Sequence, residues 1–479
     1  MGTDLLLSEK EIREAADLLG EILVSYQAGV ADKRVLPEVD RAAIHRLLEE
    51  PFPEEPRSVK ALFDEFREVI LPNSTHVCHP RFLAYILSSP HGLAPFAEAL
   101  AAALNQSSSL WTISPAASAI EQKLVSWFSE LFHFPEKTAG LITSGGSMAN
   151  LMALTVARDH RLGERAREDG IQAAEYPLTA YTSDQAHNSV DKAIGILGLG
   201  LKHLRRIPTD DDFRIRLEPL IAAIEKDKTE GRTPFCVIAT AGTVTSGAID
   251  PLDELADLCE RENLWLHIDG AYGAFAVLND RLRPQLAAAG RGNSMTLDPH
   301  KLLFNSVEAG CLLVRDRNSM RRTYSFVPDY LSISSDPDLI NFTEYGPQLS
   351  RSFKALKVWW GLRAFGRKAY VRTIDRLLDL AAYMAARILQ EPRLELLAPA
   401  PLTAVCFRHR HLDDAGNQRL LDAVVRSGVA FLGPARLKGR TGVRACFTNL
   451  RTSRADVDTI LDEFLRLADS QDHGTSNTG

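Results

Sequence analysis

Two stretches of the sequence decide the fold: Leu264-Trp-Leu-His-Ile-Asp269-Gly-Ala-Tyr272 and Thr296-Leu-Asp-Pro-His-Lys301. The first is an apolar run that delivers an aspartate at its end, and the second places a lysine directly after a proline and a histidine. A hydrophobic strand with an acid at its carboxyl end is the usual way in which an open α/β sheet presents a reactive group. We therefore expect Asp269 and Lys301 to face the same crevice.

Outward from these stretches, predicted helices alternate with short apolar runs. The runs predicted to be strands are Gly140–Thr143, Leu178–Thr182, His203–Ile207, Phe235–Thr240, Leu264–Asp269 and Ala309–Val314. This succession predicts an α/β domain with a mostly parallel sheet that helices cover on both faces.

The same pattern divides the chain into parts. They are a helical arm over residues 1–95, a large α/β domain over 96–375, a small α+β domain over 376–469 and a disordered tail over 470–479. The arm has too little apolar surface for a core of its own. We therefore expect it to pack on the large domain or on a second subunit.

The composition excludes several classes of protein. The chain is 45% hydrophobic and 24% charged, and its net charge of -7 comes from well-mixed charges, which argues against nucleic-acid binding. The six cysteines form no Cys-x-x-Cys pair, so we expect neither a zinc site nor a disulfide framework. Neither a signal peptide nor an apolar run long enough for a bilayer is evident, and we expect a soluble cytoplasmic protein without a metal site.

A glycine-containing turn, Thr143-Ser-Gly-Gly-Ser147-Met-Ala-Asn150, lies between a predicted strand and a predicted helix. Glycines let the backbone approach a ligand, and a helix N-terminus offers unpaired N–H groups to an anion. The turn lacks the Gly-Lys-Ser/Thr of a nucleotide P-loop and does not match Gly-x-Gly-x-x-Gly. Alone it is explained equally well as a structural turn, but together with Asp269 and Lys301 it predicts a phosphate cradle.

These three features are the ones that a pyridoxal phosphate site requires. A carboxylate at Asp269 would keep a pyridine nitrogen protonated, which makes the ring an electron sink. Lys301 precedes Leu302-Leu-Phe304, an apolar setting that favours the neutral, nucleophilic amine. Both residues also have ordinary explanations, since aspartates at strand ends often cap turns and most lysines are solvated.

Two histidines and a tyrosine are further candidates. His187, just after a predicted strand, either lies flat on the cofactor ring or is an ordinary loop histidine. His300 either assists proton movements at the lysine or has a structural role. Tyr330 lies in the irregular segment Ser325–Pro347, where it either packs on the surface or closes over the site and donates a proton.

From Phe63 to the C-terminal domain the chain resembles the group II pyridoxal-phosphate-dependent decarboxylases, the family of the aromatic L-amino-acid and glutamate decarboxylases. The motifs that carry the resemblance are Asp298-Pro-His-Lys301, Trp265-Leu-His-Ile-Asp269-Gly-Ala271-Tyr, Ser183-Asp-Gln-Ala-His187-Asn-Ser and Thr143-Ser-Gly-Gly-Ser-Met-Ala-Asn150. The resemblance implies the aspartate-aminotransferase-like fold (fold type I) and an obligate homodimer with active sites at the subunit interface.

The resemblance also implies a role for each matching residue. Lys301 would carry the cofactor as an imine, Asp269 would pair with the ring nitrogen, and His187 and Ala271 would enclose the ring. The other cofactor contacts that it implies are Gly145, Gly146, Ser147, Asn150, Thr243, Ser294, Asp298 and His300. Tyr330 matches a mobile-loop tyrosine that reprotonates the substrate carbon, and its presence favours simple decarboxylation over the aldehyde-forming relatives.

The substrate pocket departs from the family pattern. Leu302 stands where the family usually has an aromatic residue, and Val77 where a tryptophan is common. The residues that would contact the substrate are Tyr85, Ser107 and Ser109. An aromatic substrate and an acidic or diamino substrate both remain open. Three arginines, Arg81, Arg351 and Arg444, are candidates for binding a carboxylate, although arginines are more often structural.

The leading hypothesis is an amine-forming L-amino-acid decarboxylase, with an aldehyde synthase or an aminotransferase of the same fold as the near alternative. A serine hydrolase is the distant alternative, because Gly145-Gly-Ser147-Met-Ala approximates a nucleophile elbow and Asp269 and His300 follow in the right chain order. Ala149 replaces the usual second glycine of that motif, and the hydrolase leaves Lys301 without a role.

Overall fold

In the computed structural model, which describes residues 5–326 and 339–475, the chain begins with an arm of helices. Its helices are α1 (Glu9–Gly29), α2 (Arg41–Glu49) and α3 (Val59–Glu65). The predicted capping box is present: Ser8 N donates to Glu11 Oε2 at 2.8 Å, and Ser8 Oγ accepts from Glu11 N at 3.3 Å. Helix α1 leaves Ile12 and Val24 exposed, so the arm covers only part of its own apolar surface.

A seven-stranded sheet is the largest sheet within the described residues. Its strands are β1 (Ala139–Thr143), β2 (Leu178–Ser183), β3 (Leu204–Ile207), β4 (Thr233–Thr240), β5 (Trp265–Asp269), β6 (Ser294–Leu297) and β7 (Gly310–Val314). Their order is β1-β7-β6-β5-β4-β2-β3. Neighbouring strands from β6 to β3 are parallel, whereas β7 is antiparallel to β1 and to β6. The predicted mostly parallel sheet is confirmed.

Helices cover both faces of this sheet. They include α4 (Ala94–Leu104), α5 (Pro115–Leu131), α6 (Gly146–Leu162), α7 (Ala166–Asp169), α8 (Ser189–Ile196), α9 (Leu217–Thr229), α10 (Leu252–Glu262), α11 (Arg283–Ala287) and α12 (Arg317–Tyr324). Side chains of β4 alternate between two buried apolar clusters: Ile238 belongs to the cluster with α6 and α8, and Val237 belongs to the cluster with α5 and α10. Helix α6 crosses β4, β5, β6 and β7 and so lies against the centre of the sheet.

The C-terminal part begins with α13 (Ala355–Gln390), which is kinked at Gly366, where φ is 66°. The following elements are β8 (Leu394–Leu396), β9 (Ala404–His409), α14 (Asp414–Ser427), β10 (Gly433–Leu437), β11 (Arg440–Cys446) and α15 (Arg454–Thr475). The strands form an antiparallel sheet in the order β10-β11-β9-β8, which confirms the small α+β unit.

Two predicted boundaries differ from the elements. The boundary between residues 375 and 376 lies inside α13, and α15 continues to Thr475, into the segment 470–479 that we predicted to be disordered. Helix α15 is anchored by the buried side chains of Phe464 and Ala468. Because each further residue of a helix adds one hydrogen bond, the helix continues past the last apolar residue of the sequence pattern. Among the helices that the structure describes, none has the length and apolar character required to cross a bilayer.

Candidate active site

A cavity of about 240 Å³ lies at the carboxyl ends of the parallel strands. The residues that line it are Ser144, Gly145, Gly146, Ser147, Asn150, His187, Ser189, Thr240, Gly242, Val244, Asp269, Ala271, Tyr272, Asp298, His300 and Lys301. The crevice predicted from the sequence is therefore present, and both Asp269 and Lys301 line it. It lies where open α/β sheets bind their ligands.

Lys301 presents its amine to the cavity from the turn that follows β6. Its Nζ lies 2.9 Å from Asp298 Oδ2, and its backbone N–H donates to Asp298 O at 2.9 Å. The Asp298 carboxylate is only 2% exposed, and its Oδ1 has no hydrogen-bond partner among the residues that the structure describes. A buried carboxylate oxygen without a donor is open to a partner that the described residues do not supply, and this one lies beside the Lys301 amine.

His300 lies next to the same carboxylate. Its Nδ1 lies 2.7 Å from Ala309 O and 3.3 Å from Ala309 N, and the shorter contact, to the carbonyl oxygen, places the proton on Nδ1. Its Nε2 lies 3.7 Å from Asp298 Oδ2. Burial lowers the pKa of His300, although Asp298 opposes that shift. The imidazole is therefore neutral near pH 7, and its Nε2 can accept a proton from the lysine turn.

The Asp269 carboxylate is held by two donors. Asn150 Nδ2 donates to Asp269 Oδ2 at 2.9 Å, and the backbone N–H of Ala271 donates to Asp269 Oδ1 at 3.2 Å. Hydrogen bonds to a carboxylate favour its ionised form. The arrangement suits a carboxylate that must remain negative opposite a protonated ring nitrogen.

His187 is joined to the same group of side chains through Ser189. Its Nδ1 accepts from the backbone N–H of Ser189 at 3.2 Å and lies 2.8 Å from Ser189 Oγ, which itself accepts from Asn150 Nδ2 at 2.9 Å. Burial, the largest cause, lowers the pKa of His187, although Asp269 opposes the shift. The neutral ring carries its proton on Nε2 and offers an uncharged aromatic surface.

The first turn of α6 forms an anion cradle. Gly145 precedes it with φ at 115°, and no side chain caps the helix. A Cβ on Gly146 would lie 2.9 Å from both Ala271 Cβ and Asp298 Oδ2, so only glycine brings the backbone this close. The unpaired N–H groups of the first turn and the helix dipole favour a phosphate there. The cradle, Asp269 and Lys301 together fit pyridoxal phosphate.

Two predicted cofactor contacts lie outside this cavity. Ser294 is fully buried on β6, where its Oγ accepts from Trp265 Nε1 at 2.8 Å and lies 2.9 Å from His267 Nδ1. Thr243 Oγ1 lies 2.8 Å from Ser246 Oγ and accepts from Ala248 N at 3.1 Å, while the neighbours of Thr243 line the cavity. Their hydroxyls are engaged within the fold, and their contact with the cofactor stays a prediction.

The residues predicted to contact the substrate also lie outside the lining of the cavity, among the residues that the structure describes. Ser107 Oγ lies 2.9 Å from Ser109 Oγ and accepts from the backbone N–H of Arg351 at 3.3 Å. Tyr85 is 53% exposed, and its ring lies 6.1 Å from that of Phe431. Neither serine nor Tyr85 is among the described residues that line the cavity. Tyr330 lies outside the described residues.

The arginine candidates differ in their contacts. Arg351 pairs with Glu121 in the core, and Arg81 donates to Val429 O at 2.8 Å, so both are structural. Arg444 donates from Nη1 to the carbonyl of Val244, a residue of the cavity wall, at 3.1 Å. Its buried Nε has no partner within residues 5–326 and 339–475.

The contacts do not form a hydrolase triad. His300 uses Nδ1 for Ala309 O, and Asp269 is bonded to Asn150 and Ala271, whereas Ser147 is exposed. In the part of the chain that the structure describes, no hydrogen bond links Ser147, His300 and Asp269, and no cluster of His, Cys, Asp and Glu suits a metal ion. The serine hydrolase alternative is therefore set aside.

Sequence reasoning gave no role to His267 and Thr296. His267 Nε2 lies 3.0 Å from Asn150 Oδ1, and Thr296 Oγ1 donates to the same oxygen at 2.7 Å. The available signal was the alternation of polar residues with Leu, Ile and Met along both strands. It did not reveal that the two strands are neighbours.

An imine-forming lysine, a held carboxylate and an uncapped helix N-terminus in one α/β crevice define a pyridoxal-phosphate enzyme. The comparison with known proteins makes the assignment specific. The chain belongs to the pyridoxal-dependent decarboxylase family, because the model of the pyridoxal-dependent decarboxylase conserved domain matches residues 42–410.

Individual relatives agree with this assignment. The chain is 35% identical over 478 residues to the aromatic-L-amino-acid decarboxylase of Bacillus atrophaeus, and the match covers 98% of each protein. It is 32% identical over 460 residues to histidine decarboxylase of Drosophila melanogaster, covering 94% of this chain and 54% of that protein. The crystal structure of Oryza sativa TDC with PLP and tryptamine matches with a TM-score of 0.92 at 26% identity, covering 98% of this chain and 100% of that one. The protein is thus a carboxy-lyase of fold type I that depends on pyridoxal phosphate, as predicted.

Proposed function

We propose that the protein converts an aromatic L-amino acid to the corresponding amine and CO2. The observation that carries this proposal is the 35% identity to the Bacillus atrophaeus aromatic-L-amino-acid decarboxylase over 98% of both proteins. The rice structure that matches this fold contains tryptamine, which is itself an aromatic amine.

The cavity supports the chemistry of decarboxylation. When bound, pyridoxal phosphate supplies the electron sink for the bond pair that is released as CO2 leaves. Asp269, held by Asn150 and Ala271, supplies the negative charge that the sink needs at its ring nitrogen. This charge is in place before substrate arrives, and preorganised charge is the largest contribution to many enzymatic rates.

The lysine turn supplies the proton acceptors that amine chemistry requires. Lys301 is paired with Asp298 in the resting site, and an ammonium must lose a proton before it can act as a nucleophile. The neutral His300 and the Asp298 carboxylate lie on the same turn. We assign the uptake of the lysine proton to this pair.

The arginines favour a substrate with a single carboxylate. Arg81 and Arg351 are engaged in the fold, which leaves Arg444, beside the cavity wall, as the candidate for the substrate carboxylate. An acidic substrate would need a second cation for its side chain. Histidine is the second candidate substrate, because a histidine decarboxylase is among the relatives.

A substrate panel tests this proposal. The holoenzyme is incubated with L-Phe, L-Tyr, L-Trp, L-His, L-Glu and L-2,4-diaminobutyrate, and CO2, amine, aldehyde and ammonia are measured. We expect CO2 and amine in equal amounts from at least one aromatic substrate. Release of CO2 from L-Glu alone would contradict the aromatic proposal, and aldehyde with ammonia would favour an aldehyde synthase.

We also propose a homodimer in which each active site draws residues from both subunits. Within one protomer, Ser107, Ser109 and Tyr85 lie apart from the cavity, and α1 exposes the apolar side chains of Ile12 and Val24. A second copy of the chain would cover such a face and bring further side chains to the cavity.

Hybrid dimers test the sharing of sites. Lys301→Ala and Tyr330→Phe chains are each inactive in amine formation if the resemblance holds, and they are then co-expressed. If the two residues act across the interface, random pairing restores about a quarter of the wild-type activity, because half of the dimers are hybrid and each has one intact site. No recovery in hybrid dimers would place both residues in one subunit, and a monomer in light scattering would contradict the dimer itself.

A further inference from the structure

The strands beneath the cavity carry an unusual row of polar side chains. On β5 these are Trp265, His267 and Asp269, and on β6 they include Ser294 and Thr296. The register places His267 opposite Ser294 and Asp269 opposite Thr296. Strands of a parallel sheet that is covered on both faces are normally continuous apolar runs, and buried polar groups are costly unless they are paired. The row therefore requires an explanation.

Hydrogen bonds run through this row in a single direction. At one end Trp265 Nε1, which can only donate, lies 2.8 Å from Ser294 Oγ. At the other end the ionised Asp269 carboxylate, which can only accept, receives Asn150 Nδ2 at 2.9 Å. The groups between these ends must each accept from one neighbour and donate to the next.

The two ends determine the orientation of the Asn150 amide. If the amide were flipped, Asn150 Oδ1 would lie against the oxygen of Asp269, and its N–H groups would point at the Thr296 hydroxyl. In the observed orientation, Oδ1 accepts from Thr296 Oγ1 at 2.7 Å and lies 3.0 Å from His267 Nε2. His267 Nε2 must therefore be the donor.

The same logic determines the state of His267. Because Nε2 carries the proton, Nδ1 of the neutral ring accepts from the Ser294 hydroxyl at 2.9 Å. Complete burial is the largest cause that lowers the pKa of His267, to about 4, and this keeps the ring neutral under ordinary conditions. Every polar group of the row is then satisfied without a charge on the imidazole.

We propose that His267 is a positioning residue that acts through Asn150: it holds the amide so that the Asp269 carboxylate stays aimed at the ring nitrogen of the cofactor. The Asn150 amide also donates to Ser189, the hydrogen-bond partner of His187. Asn150 therefore aligns both Asp269 and His187, which are predicted to contact the cofactor ring. A chain of hydrogen bonds polarises its members cooperatively, which strengthens the final bond to the carboxylate. The inference requires pyridoxal phosphate as cofactor but not a particular substrate.

The direct test is the protonation of the cofactor ring, measured without substrate. Holoenzyme is reconstituted with pyridoxal phosphate labelled with 15N in the ring, and the 15N chemical shift is followed between pH 6 and 9. In His267→Leu the donor to Asn150 is lost. We expect the pKa of the ring nitrogen to fall, so that the midpoint of its titration lies at a hydrogen-ion concentration about tenfold higher than in the wild type. His267→Gln retains an N–H donor and is expected to restore most of the wild-type titration.

Three comparisons keep the inference falsifiable. Thr296→Val removes the other donor to Asn150 without changing the size of the side chain, and a smaller shift in the same direction is expected. His76→Leu removes a buried imidazole in the arm and is expected to leave the 15N titration unchanged. Thermal midpoints of the apoproteins show which variants fold.

A folded His267→Leu holoenzyme with a wild-type 15N titration would overturn the inference. A folded His267→Gln that titrates like His267→Leu would also overturn it, because the donor would then be irrelevant. If His267→Leu does not fold, Thr296→Val decides, and an unchanged titration there counts against the role of Asn150. The outcome of the substrate panel has no bearing on these measurements.

Discussion

Gly146→Ala is the sharpest perturbation of the cofactor cradle, because it adds one methyl group where the structure has no room. The added Cβ would lie 2.9 Å from Ala271 Cβ and 2.9 Å from Asp298 Oδ2. Both neighbours belong to the cavity wall, and Asp298 Oδ2 is also the atom paired with Lys301 Nζ. To relieve this overlap, either Ala271, which is predicted to contact the cofactor ring, or the Asp298 carboxylate beside Lys301 must move.

The expected magnitude follows from two opposing effects. Overpacking by a methylene costs about 1–3 kcal/mol. Replacing glycine by alanine within a helix returns about 0.5–1 kcal/mol, and the backbone of Gly146 is not left-handed, so strain adds nothing. The balance ranges from no loss to a loss of about 2.5 kcal/mol and is centred at about 1.3 kcal/mol. Since the displaced atoms line the cavity, we expect most of this free-energy loss to appear as weaker cofactor binding, with a Kd about tenfold higher.

Titration of the apoprotein with pyridoxal phosphate, followed by visible absorbance, measures this loss. Gly195→Ala is the matched control, because Gly195 lies in α8 and a Cβ there meets nothing within 4 Å. The control is expected to keep the wild-type Kd and to raise the thermal midpoint slightly. A Gly146→Ala protein with the same Kd as the control would refute the assignment of this turn as the cradle.

Three further predictions concern the fold. Burial lowers the pKa of His79 to about 4, so the unfolded chain binds a proton near pH 6.5 that the folded chain binds only near pH 4. The free energy of unfolding therefore falls as the pH drops through this window, by about 2 kcal/mol at pH 5. His79→Asn should flatten the fall in thermal midpoint between pH 7.5 and 5. Glu121→Gln leaves the buried Arg351 without its charge partner, and thermal denaturation should show a loss of about 3–5 kcal/mol. Ser8→Ala removes the N-cap of α1, and hydrogen exchange in the first turn should accelerate about fivefold, equivalent to about 1 kcal/mol.

Matched variants separate these effects from general damage. His45→Asn replaces an exposed histidine of α2 and should leave the pH dependence of the midpoint unchanged. Arg13→Gln breaks the exposed pair with Glu9 and should cost less than about 1 kcal/mol. Equal losses in Arg13→Gln and Glu121→Gln would contradict the importance of burial. An unaltered pH slope in His79→Asn would contradict the titration of His79, and unchanged exchange in Ser8→Ala would contradict the cap.

Much of the fold was predictable because its signals are local. The capping box at Ser8, the apolar run that ends at Asp269 and the glycines before α6 are each encoded within a few residues. Strand β6 was missed because Ser294–Leu297 has only four residues, of which two are polar. A short alternating stretch does not differ from a loop until its neighbours are known.

The site was predictable where a motif names the chemistry, and unpredictable where a contact depends on register. Asp269, Lys301 and His187 share the cavity as expected. Ser294 does not, because its place opposite His267 turns its hydroxyl into the row beneath the cavity. Ser107 and Ser109 lie outside the lining as well, because their hydroxyls bond to each other and to the backbone of Arg351, a contact between distant segments that no local motif encodes.

The one-directional row on β5 and β6 has a consequence for anyone who redesigns this enzyme. Because each member accepts from one neighbour and donates to the next, a lone replacement that cannot do both leaves two mismatched groups rather than one. Libraries that vary Asn150, His267 and Ser294 one position at a time should therefore yield mostly inactive variants. New ring chemistry on this scaffold is more accessible to coordinated exchanges that reverse or replace the whole row at once.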